Sequence, residues 1–262
     1  MSYWIICSVA FAVSGLTLFS GFGLGTLLMP AFALFFPIEV AVAATAIVHL
    51  ANNIFKVGLV GKKADSGIVF KFALPAAVTA IFGTLLLNYF TTVEPITQYL
   101  LGGRTCTITT VKLVIAMLML FFAFIELKPG LEKLSFDTRY IPLGGALSGF
   151  FGGISGHQGA LRTAFLIRAG LDKEVFIGTI VISAVIVDIS RLIVYGATFF
   201  SKDFEVLKNQ GGIELVLAGT LAAFLGAFIG SKLLNKITMR NIRILVGVLL
   251  FLLALSLGIG IV

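Results

Sequence analysis

The sequence predicts an all-α integral membrane protein, and its composition is the first observation that does so. Of the 262 residues, 59% are hydrophobic and 12% are charged, and the mean hydropathy is +1.10. A soluble domain of this length needs more polar residues to cover its surface. The apolar residues form long continuous runs instead of alternating with polar ones. Membrane-spanning helices are therefore favoured over a β-barrel.

Six apolar runs have about the length that one helical crossing needs, roughly 20 residues. In chain order they lie near Ile38–Val60, Val69–Tyr89, Ile108–Glu126, Glu174–Phe200, Ile213–Leu234 and Ile242–Val262. Two further runs, Ser2–Phe36 and Tyr140–Ala169, contain 35 and 30 residues, which is too many for one crossing. Each of these two is interrupted by a glycine-rich stretch, at Ser20–Thr26 and at Gly149–Gly159.

The interruptions recur at matching places in two halves of the chain. Gly25 and Gly159 lie 134 positions apart, and Lys56 and Arg191 lie 135 apart. This spacing indicates an internal duplication. The predicted boundaries are a first transmembrane repeat at residues 1–127, a cytoplasmic linker at 128–138 and a second transmembrane repeat at 139–262. Paired interruptions of this kind are typical of the binding site of a secondary transporter.

The loop cations indicate how the two long runs fold. If each long run crosses the membrane once, the sixteen loop cations divide eight against eight. If each run instead folds as a helical hairpin that returns to its starting side, twelve of them face one side and four the other. Because cytoplasmic loops are enriched in Lys and Arg, the hairpin arrangement is favoured. It predicts two inverted repeats, each a glycine-broken hairpin followed by three spanning helices, with both termini outside the cytoplasm.

Several functional classes are disfavoured. The net charge of +7 is spread over short loops, so no nucleic-acid partner is expected. Cys7 and Cys106 are interpreted as buried, inert thiols, and the two histidines are too far apart in sequence for a metal site, so no cofactor or metal is predicted. No hydrolase, nucleotide-binding or zinc-protease motif is present, which argues against an enzyme. Residues 1–10 are interpreted as part of the first helix and not as a signal peptide.

The two glycine breaks predict an anion site. A short helix would start after each break, near Thr26 and Ala160, with its N-terminus inside the membrane. The unpaired N–H groups and the positive dipole end of such a helix attract anions, and glycine lets the anion approach the backbone. The alternative is that the glycines serve helix packing, and that interpretation is preferred for Gly226 and Gly230.

Three cations lie within apolar runs. Charges at membrane depth are costly and mark either function or a buried partner. Arg191 has Asp188 one helical turn away, so a structural ion pair and a substrate role are equally supported. Lys56 is interpreted as snorkelling to the membrane surface. Arg162 falls in the first turn of the second short helix, where its guanidinium can grip an oxyanion through two donors.

Neutral polar groups complete the predicted site. Asn52 and Asn53 share a helix face with His49, and they could either bind an anion or join helices. His157 and Gln158 lie beside the second break and are preferred as ligands. The predicted substrate-binding residues are Gly23, Gly25, Thr26, Asn52, Asn53, His157, Gln158, Gly159, Arg162 and Arg191.

The duplicated layout and two motifs resemble the TauE/SafE family of sulfite and organosulfonate exporters. The motifs are Ser20–Pro30 and Ser155–Gly159, and the resemblance covers essentially the whole chain. It implies export of a small sulfur oxyanion, such as sulfite, thiosulfate or an organosulfonate, across a bacterial cytoplasmic membrane. His157 and Gln158 interrupt a stretch that is more uniformly glycine-rich in many relatives, which leaves the substrate open.

The sequence therefore predicts a multi-pass secondary transporter that moves a small sulfur-containing anion by alternating access. Two alternatives stay open: an anion channel with the same lining, and a membrane subunit that anchors or assembles partners. The coupling ion and the oligomeric state, including a homo-oligomer, also stay open.

Overall fold

The structure is a computed structural model that describes residues 2–17, 24–130, 135–198, 208, 211–233 and 239–261. Its elements, in chain order, are α1 (Ser2–Thr17), α2 (Leu24–Ala33), α3 (Ile38–Val60), α4 (Ser66–Thr91), β1 (Thr97–Leu101), β2 (Arg104–Ile108), α5 (Thr110–Leu127), α6 (Ile141–Ser155), α7 (Gly159–Leu166), α8 (Lys173–Thr198), α9 (Gly212–Leu233) and α10 (Met239–Gly258). Short 3-10 helices at Gly61–Lys63 and Thr138–Tyr140 precede α4 and α6.

The all-α membrane architecture is confirmed. Within the described residues, five helices (α3, α4, α5, α8 and α9) are long and apolar enough to cross a membrane. Each of the two long runs forms a pair of shorter helices, and the second members, α2 and α7, begin at Leu24 and Gly159, within two residues of the predicted starts. Large apolar side chains such as Phe70, Ile193 and Leu221 point outward, as lipid-facing residues do.

Close packing of α6 against α4 depends on glycine. A Cβ built on Gly149 would lie 2.0 Å from the Ala76 carbonyl oxygen, and one on Gly153 would lie 2.4 Å from the Ala80 carbonyl oxygen. Such small residues let two backbones approach, which is how helices associate where lipid provides no hydrophobic drive. Gly149 and Gly153, although part of the predicted break, are therefore packing residues.

The packing of α1 against α9 follows the same design. A Cβ on Gly226 would lie 2.0 Å from the Phe11 carbonyl oxygen, and one on Gly230 would lie 2.4 Å from the Gly15 carbonyl oxygen. The packing role predicted for Gly226 and Gly230 is thus confirmed. The α4–α6 and α1–α9 pairs have the most extensive helix contacts in the described residues, and both pairs run parallel.

Two other helix pairs run antiparallel. The end of α3 lies beside the start of α8, where a Cβ on Gly178 would lie 2.8 Å from the Val60 carbonyl oxygen. The end of α5 lies beside the start of α10, where Arg243 and Glu126 pair at 3.6 Å. Lys63 at the end of α3 also pairs with Glu174 in the first turn of α8.

A β-hairpin between α4 and α5 was not predicted. β1 and β2 are antiparallel and pair Leu101 with Arg104 across a two-residue turn. Gly102 and Gly103 occupy that turn with φ of 56° and 80°, which is the conformation that suits the twist of a tight hairpin. Both cysteines are free, and Cys106 on β2 is buried, whereas Cys7 is partly exposed, so the prediction of two buried thiols is wrong for Cys7.

Candidate functional site

The second break turns the chain sharply between α6 and α7. α6 ends at Ser155, and Gly156 has φ of 78°, a left-handed conformation that glycine adopts without strain. Its N–H donates to the Gly152 carbonyl at 2.9 Å and closes the last turn of α6. His157 and Gln158 follow, and α7 begins at Gly159. The turn places these two buried side chains at the start of a helix that lies inside the protein.

The first break meets the second at this point. A Cβ built on Gly25 would lie 3.2 Å from the Gly156 carbonyl oxygen and 3.6 Å from Cδ2 of His49. A methyl group at position 25 would be tight against the Gly156 carbonyl oxygen and in van der Waals contact with the His49 ring. Thr26 follows Gly25 in the first turn of α2 and is buried. Gly23, another predicted site residue, lies outside the described residues.

Asp188 on α8 is the centre of the polar network at this junction. Its Oδ2 is 2.6 Å from His49 Nδ1 and accepts a hydrogen bond from Asn53 at 3.1 Å. Its Oδ1 accepts one from Gln158 Nε2 at 3.0 Å and pairs with Arg191 at 3.2 Å. The network therefore links α3, the second break and α8 through one fully buried carboxylate. A buried charge needs such partners on every side.

Arg191 forms the predicted ion pair with Asp188 and also donates to the backbone in the last turn of α6, beside the second break. Its Nη1 donates to the Gly152 carbonyl at 3.0 Å, and Tyr195, one turn later, donates to the Gly153 carbonyl at 3.1 Å. Two side chains of α8 thus bind backbone oxygens in the last turn of α6. These contacts support the structural role of Arg191 over direct contact with a substrate.

Arg162 lies where the sequence predicts, in the first turn of α7. Its side chain is 2% exposed, and its backbone N–H donates to the Gln158 carbonyl at 3.1 Å. It lies close enough to Lys56, His49 and Asp188 to interact with them electrostatically. The guanidinium therefore belongs to the same buried group of charges.

Lys56 requires a correction. Its side chain is 5% exposed, so it does not reach the membrane surface, and the snorkelling interpretation is wrong. Within the described residues Lys56 makes no ion pair, and Arg162 is the charge with which it interacts. Two cations are thus held close together in the protein interior.

Several buried polar atoms near the breaks have no hydrogen-bond partner among the described residues. They are Thr45 Oγ1, Asn52 Nδ2, His157 Nε2 and Gln158 Oε1. The Ser14 hydroxyl donates to Oδ1 of Asn52 at 3.1 Å. Nδ1 of His157 donates to the Ser155 carbonyl oxygen at 2.9 Å, and the His157 ring stacks on Phe122 with the ring centroids 5.5 Å apart. The side chains of Asn52, His157 and Gln158 are therefore oriented by hydrogen bonds, and one polar atom of each is left over. Unsatisfied buried polar atoms are costly and indicate an absent ligand or water.

The charges of the site do not balance. Among the described residues at the site, the buried cationic side chains are Lys56, Arg162 and Arg191, and the buried carboxylate is Asp188, so the formal charges are three positive and one negative. In a low-dielectric interior this excess attracts an anion strongly. Among the described residues no group of three or more His, Cys, Asp or Glu side chains is placed to hold a metal ion.

Sequence reasoning missed the contact between His49 and Asp188. The available signal was the repeat itself, because Asn53 and Asp188 lie 135 positions apart, as Lys56 and Arg191 do. If the halves pack face to face, equivalent positions meet near the pseudo-symmetry axis. Helical spacing alone pairs Asp188 with Arg191 on its own helix.

Comparison with known proteins agrees with these features. The sequence model of the family described as "Sulfite exporter TauE/SafE" matches residues 6–257. The match includes both breaks and all of the buried charges described above. No curated protein and no solved structure matches the chain.

Proposed function

This chain belongs to the TauE/SafE sulfite exporter family of membrane transporters, and we propose that it exports a small sulfur oxyanion by alternating access. The observation that carries the proposal is the cluster of three buried cations and one carboxylate where the two glycine breaks meet. Sulfite, thiosulfate and organosulfonates are compact anions with several oxygen acceptors. Guanidinium, ammonium and amide donors in a water-excluded site suit that chemistry.

In this proposal Arg162 and Lys56 bind the anion directly. Asn52 offers a buried amide nitrogen that has no partner among the described residues, and we assign this donor to an oxygen of the substrate. Nδ1 of His157 donates to the Ser155 carbonyl, so Nε2 of the neutral ring is an acceptor, which suits a protonated substrate oxygen. Gly25, Gly159 and Thr26 line the site with backbone. Asp188 accepts hydrogen bonds from Asn53 and Gln158 and forms an ion pair with Arg191, and these contacts position the second break around the anion.

The proposed mechanism uses two inverted repeats, residues 1–127 and 139–262, joined by a cytoplasmic linker at 128–138. Equivalent helices support it: α3 runs antiparallel to α8, and α5 runs antiparallel to α10. Exchange of the halves also converts the α4–α6 pair into the α9–α1 pair, and both pairs pack closely through glycine. Inverted repeats can rock around a fixed central site and open it to each side in turn.

We place the protein in a bacterial cytoplasmic membrane with the cation-rich ends of α3, α5 and α9 inside. An inside-negative potential drives an anion outward by about 2.3 kcal/mol per charge per 100 mV. An anion that moves alone therefore needs no other energy source, and a cation that moves with it reduces the net charge on which the potential acts.

Flux into and out of proteoliposomes tests this proposal. We expect saturable efflux of thiosulfate or sulfite that accelerates when the interior is made negative. Arg162→Ala should abolish it, whereas Arg139→Ala, which removes an exposed arginine, should leave it unchanged. Flux without saturation would favour an anion channel. Absence of flux for every sulfur oxyanion would contradict the proposal and favour an assembly subunit.

A further inference from the structure

His49 and Asp188 form a buried acid–base pair in the centre of the proposed site. His49 is 8% exposed and Asp188 is fully buried, and the atoms that join them are 2.6 Å apart. The pair bridges α3 and α8, the equivalent antiparallel helices of the two halves. A role for this pair in transport rests on the proposed function, since it concerns the ion that accompanies the anion.

The hydrogen bonds assign the proton between the two groups to His49. Asp188 accepts hydrogen bonds from Asn53 and Gln158 and an ion pair from Arg191, all of which stabilise the ionised carboxylate. A nitrogen 2.6 Å from that carboxylate must carry a hydrogen, so Nδ1 of His49 is the donor. The neutral ring then has an acceptor lone pair on Nε2.

Nε2 of His49 faces the junction of the breaks. A Cβ built on Gly25 would lie 3.9 Å from Nε2 and 3.2 Å from the Gly156 carbonyl oxygen. The groups around the ring from the neighbouring helices are Asn53 on α3, Asp188 and Arg191 on α8, and Arg162 on α7. The two arginines repel a positive ring, and Asp188 attracts one. The balance changes when a bound anion neutralises Arg162.

We propose that His49 Nε2 binds one proton together with the anion, so that the site carries the anion and a proton as a unit. The proton comes from water, adds to the Nε2 lone pair and leaves again when the anion is released; no other bond forms or breaks. The resulting imidazolium donates from Nδ1 to Asp188 and from Nε2 toward the anion. A histidine held by a carboxylate is suited to this exchange at physiological pH.

The expected pH dependence has a definite sign. If anion binding takes up one proton, the anion is bound more tightly as the pH falls, and by linkage the proton is bound more tightly when the anion is present. At pH values where the free site is unprotonated, Kd should rise about tenfold per pH unit. At lower pH, where His49 is already protonated, Kd should become constant.

The test is titration calorimetry of the purified full-length protein with thiosulfate, whose charge is constant over the pH range of interest. Runs in two buffers of different ionisation enthalpy give the number of protons taken up, which should approach one in the upper pH range. His49→Gln keeps an amide donor for Asp188 and removes the titrating atom, so its Kd should be independent of pH. His157→Gln changes the other histidine, and it should retain the pH slope even where it weakens binding.

Each other outcome contradicts the inference. Thiosulfate binding to the unaltered protein without proton uptake would overturn it and leave the proposed function in place. A pH slope that persists in His49→Gln would assign the proton to another group of the site, and a slope lost only in His157→Gln would assign it to that ring. No binding of thiosulfate, sulfite or an organosulfonate at any pH would overturn the proposed function itself. If His49→Gln does not fold, the unaltered protein still decides whether a proton accompanies the anion, and loss of the pH slope in His157→Gln would contradict its assignment to His49.

Discussion

The two central helices, α3 and α8, solve the same problem of a buried cation in different ways. Lys56 on α3 and Arg191 on α8 occupy equivalent positions, 135 residues apart. On α8 the residue three positions earlier is Asp188, which pairs with Arg191 at 3.2 Å. On α3 the equivalent residue is Asn53, which is neutral and donates to the same Asp188. Arg191 is thus balanced by a carboxylate one turn away on its own helix, whereas Lys56 is not.

This difference predicts a structural role for Arg191 and an anion-binding role for Lys56. A cation that is paired within its own half and bonded to the backbone of the break, as Arg191 is, stabilises the structure. A buried cation without a carboxylate lowers the stability of the empty protein and raises its affinity for an anion. Functional sites commonly retain such locally unfavourable groups. Four substitutions test these roles and the packing around them, in decreasing order of expected effect.

Asp188→Asn should have the largest effect on stability. It leaves Arg191 and the neighbouring cations without their buried counter-charge, and loss of one member of a buried pair costs about 3–5 kcal/mol of the free energy of unfolding. Thermal and denaturant unfolding of the detergent-purified protein would measure it. Asp65→Asn is the matched control, because Asn still accepts the N–H bond that caps α4. Equal stability of the two variants would contradict the central role of Asp188.

Lys56→Met should separate stability from binding. Replacement of an unpaired buried charge by an apolar side chain should stabilise the anion-free protein by about 1 kcal/mol or more. Loss of a charged donor should raise Kd for the anion about 10- to 100-fold, or 1.4–3 kcal/mol. Lys71→Met on the exposed face of α4 should change neither quantity. A Lys56→Met protein that binds as well as the unaltered one would show that Lys56 does not face the anion.

Gly149→Ala should destabilise the α4–α6 contact. The new methyl group would meet the Ala76 carbonyl oxygen at 2.0 Å, and overpacking of this kind costs roughly 1–3 kcal/mol. Gly58→Ala offers the opposite case, because outside its own helical backbone no atom of the described residues lies within 4 Å of its Cβ position on α3. There the greater helix propensity of Ala should stabilise the protein by about 0.5–1 kcal/mol. Unfolding midpoints that shift in the same direction would contradict the assignment of Gly149 to packing.

Glu174→Gln should have the smallest effect. Its ion pair with Lys63 joins the end of α3 to the start of α8, but both side chains are more than half exposed. Exposed pairs contribute about 0–1 kcal/mol, so the free energy of unfolding should fall by less than 1 kcal/mol. A loss as large as that of Asp188→Asn would mean that the ends of α3 and α8, and not their centres, hold the halves together.

Most of the helices could be predicted because lipid leaves the backbone few alternatives. The bounds of α3 agree at both ends, and the long runs break where glycine interrupts them. The β-hairpin at Thr97–Ile108 was not predicted, since its short strands adjoin apolar helices and carry little pattern of their own. Residues one helical turn apart, such as Asp188 and Arg191, could be paired from their spacing in the sequence. The contact between His49 and Asp188 spans 139 positions and follows only from the packing of α3 on α8.

Thermal stabilisation by anions tests most directly that the junction of the two breaks is an anion site. Unfolding of the purified protein would be followed with sulfite, thiosulfate, sulfate, an organosulfonate and chloride. A ligand at 100 times its Kd should stabilise the folded state by about 2.7 kcal/mol. We expect this for one or more sulfur oxyanions and not for chloride, and we expect Arg162→Ala to lose it and Arg139→Ala to keep it. Equal stabilisation by every salt, or a shift that survives Arg162→Ala, would contradict a specific anion site at this junction.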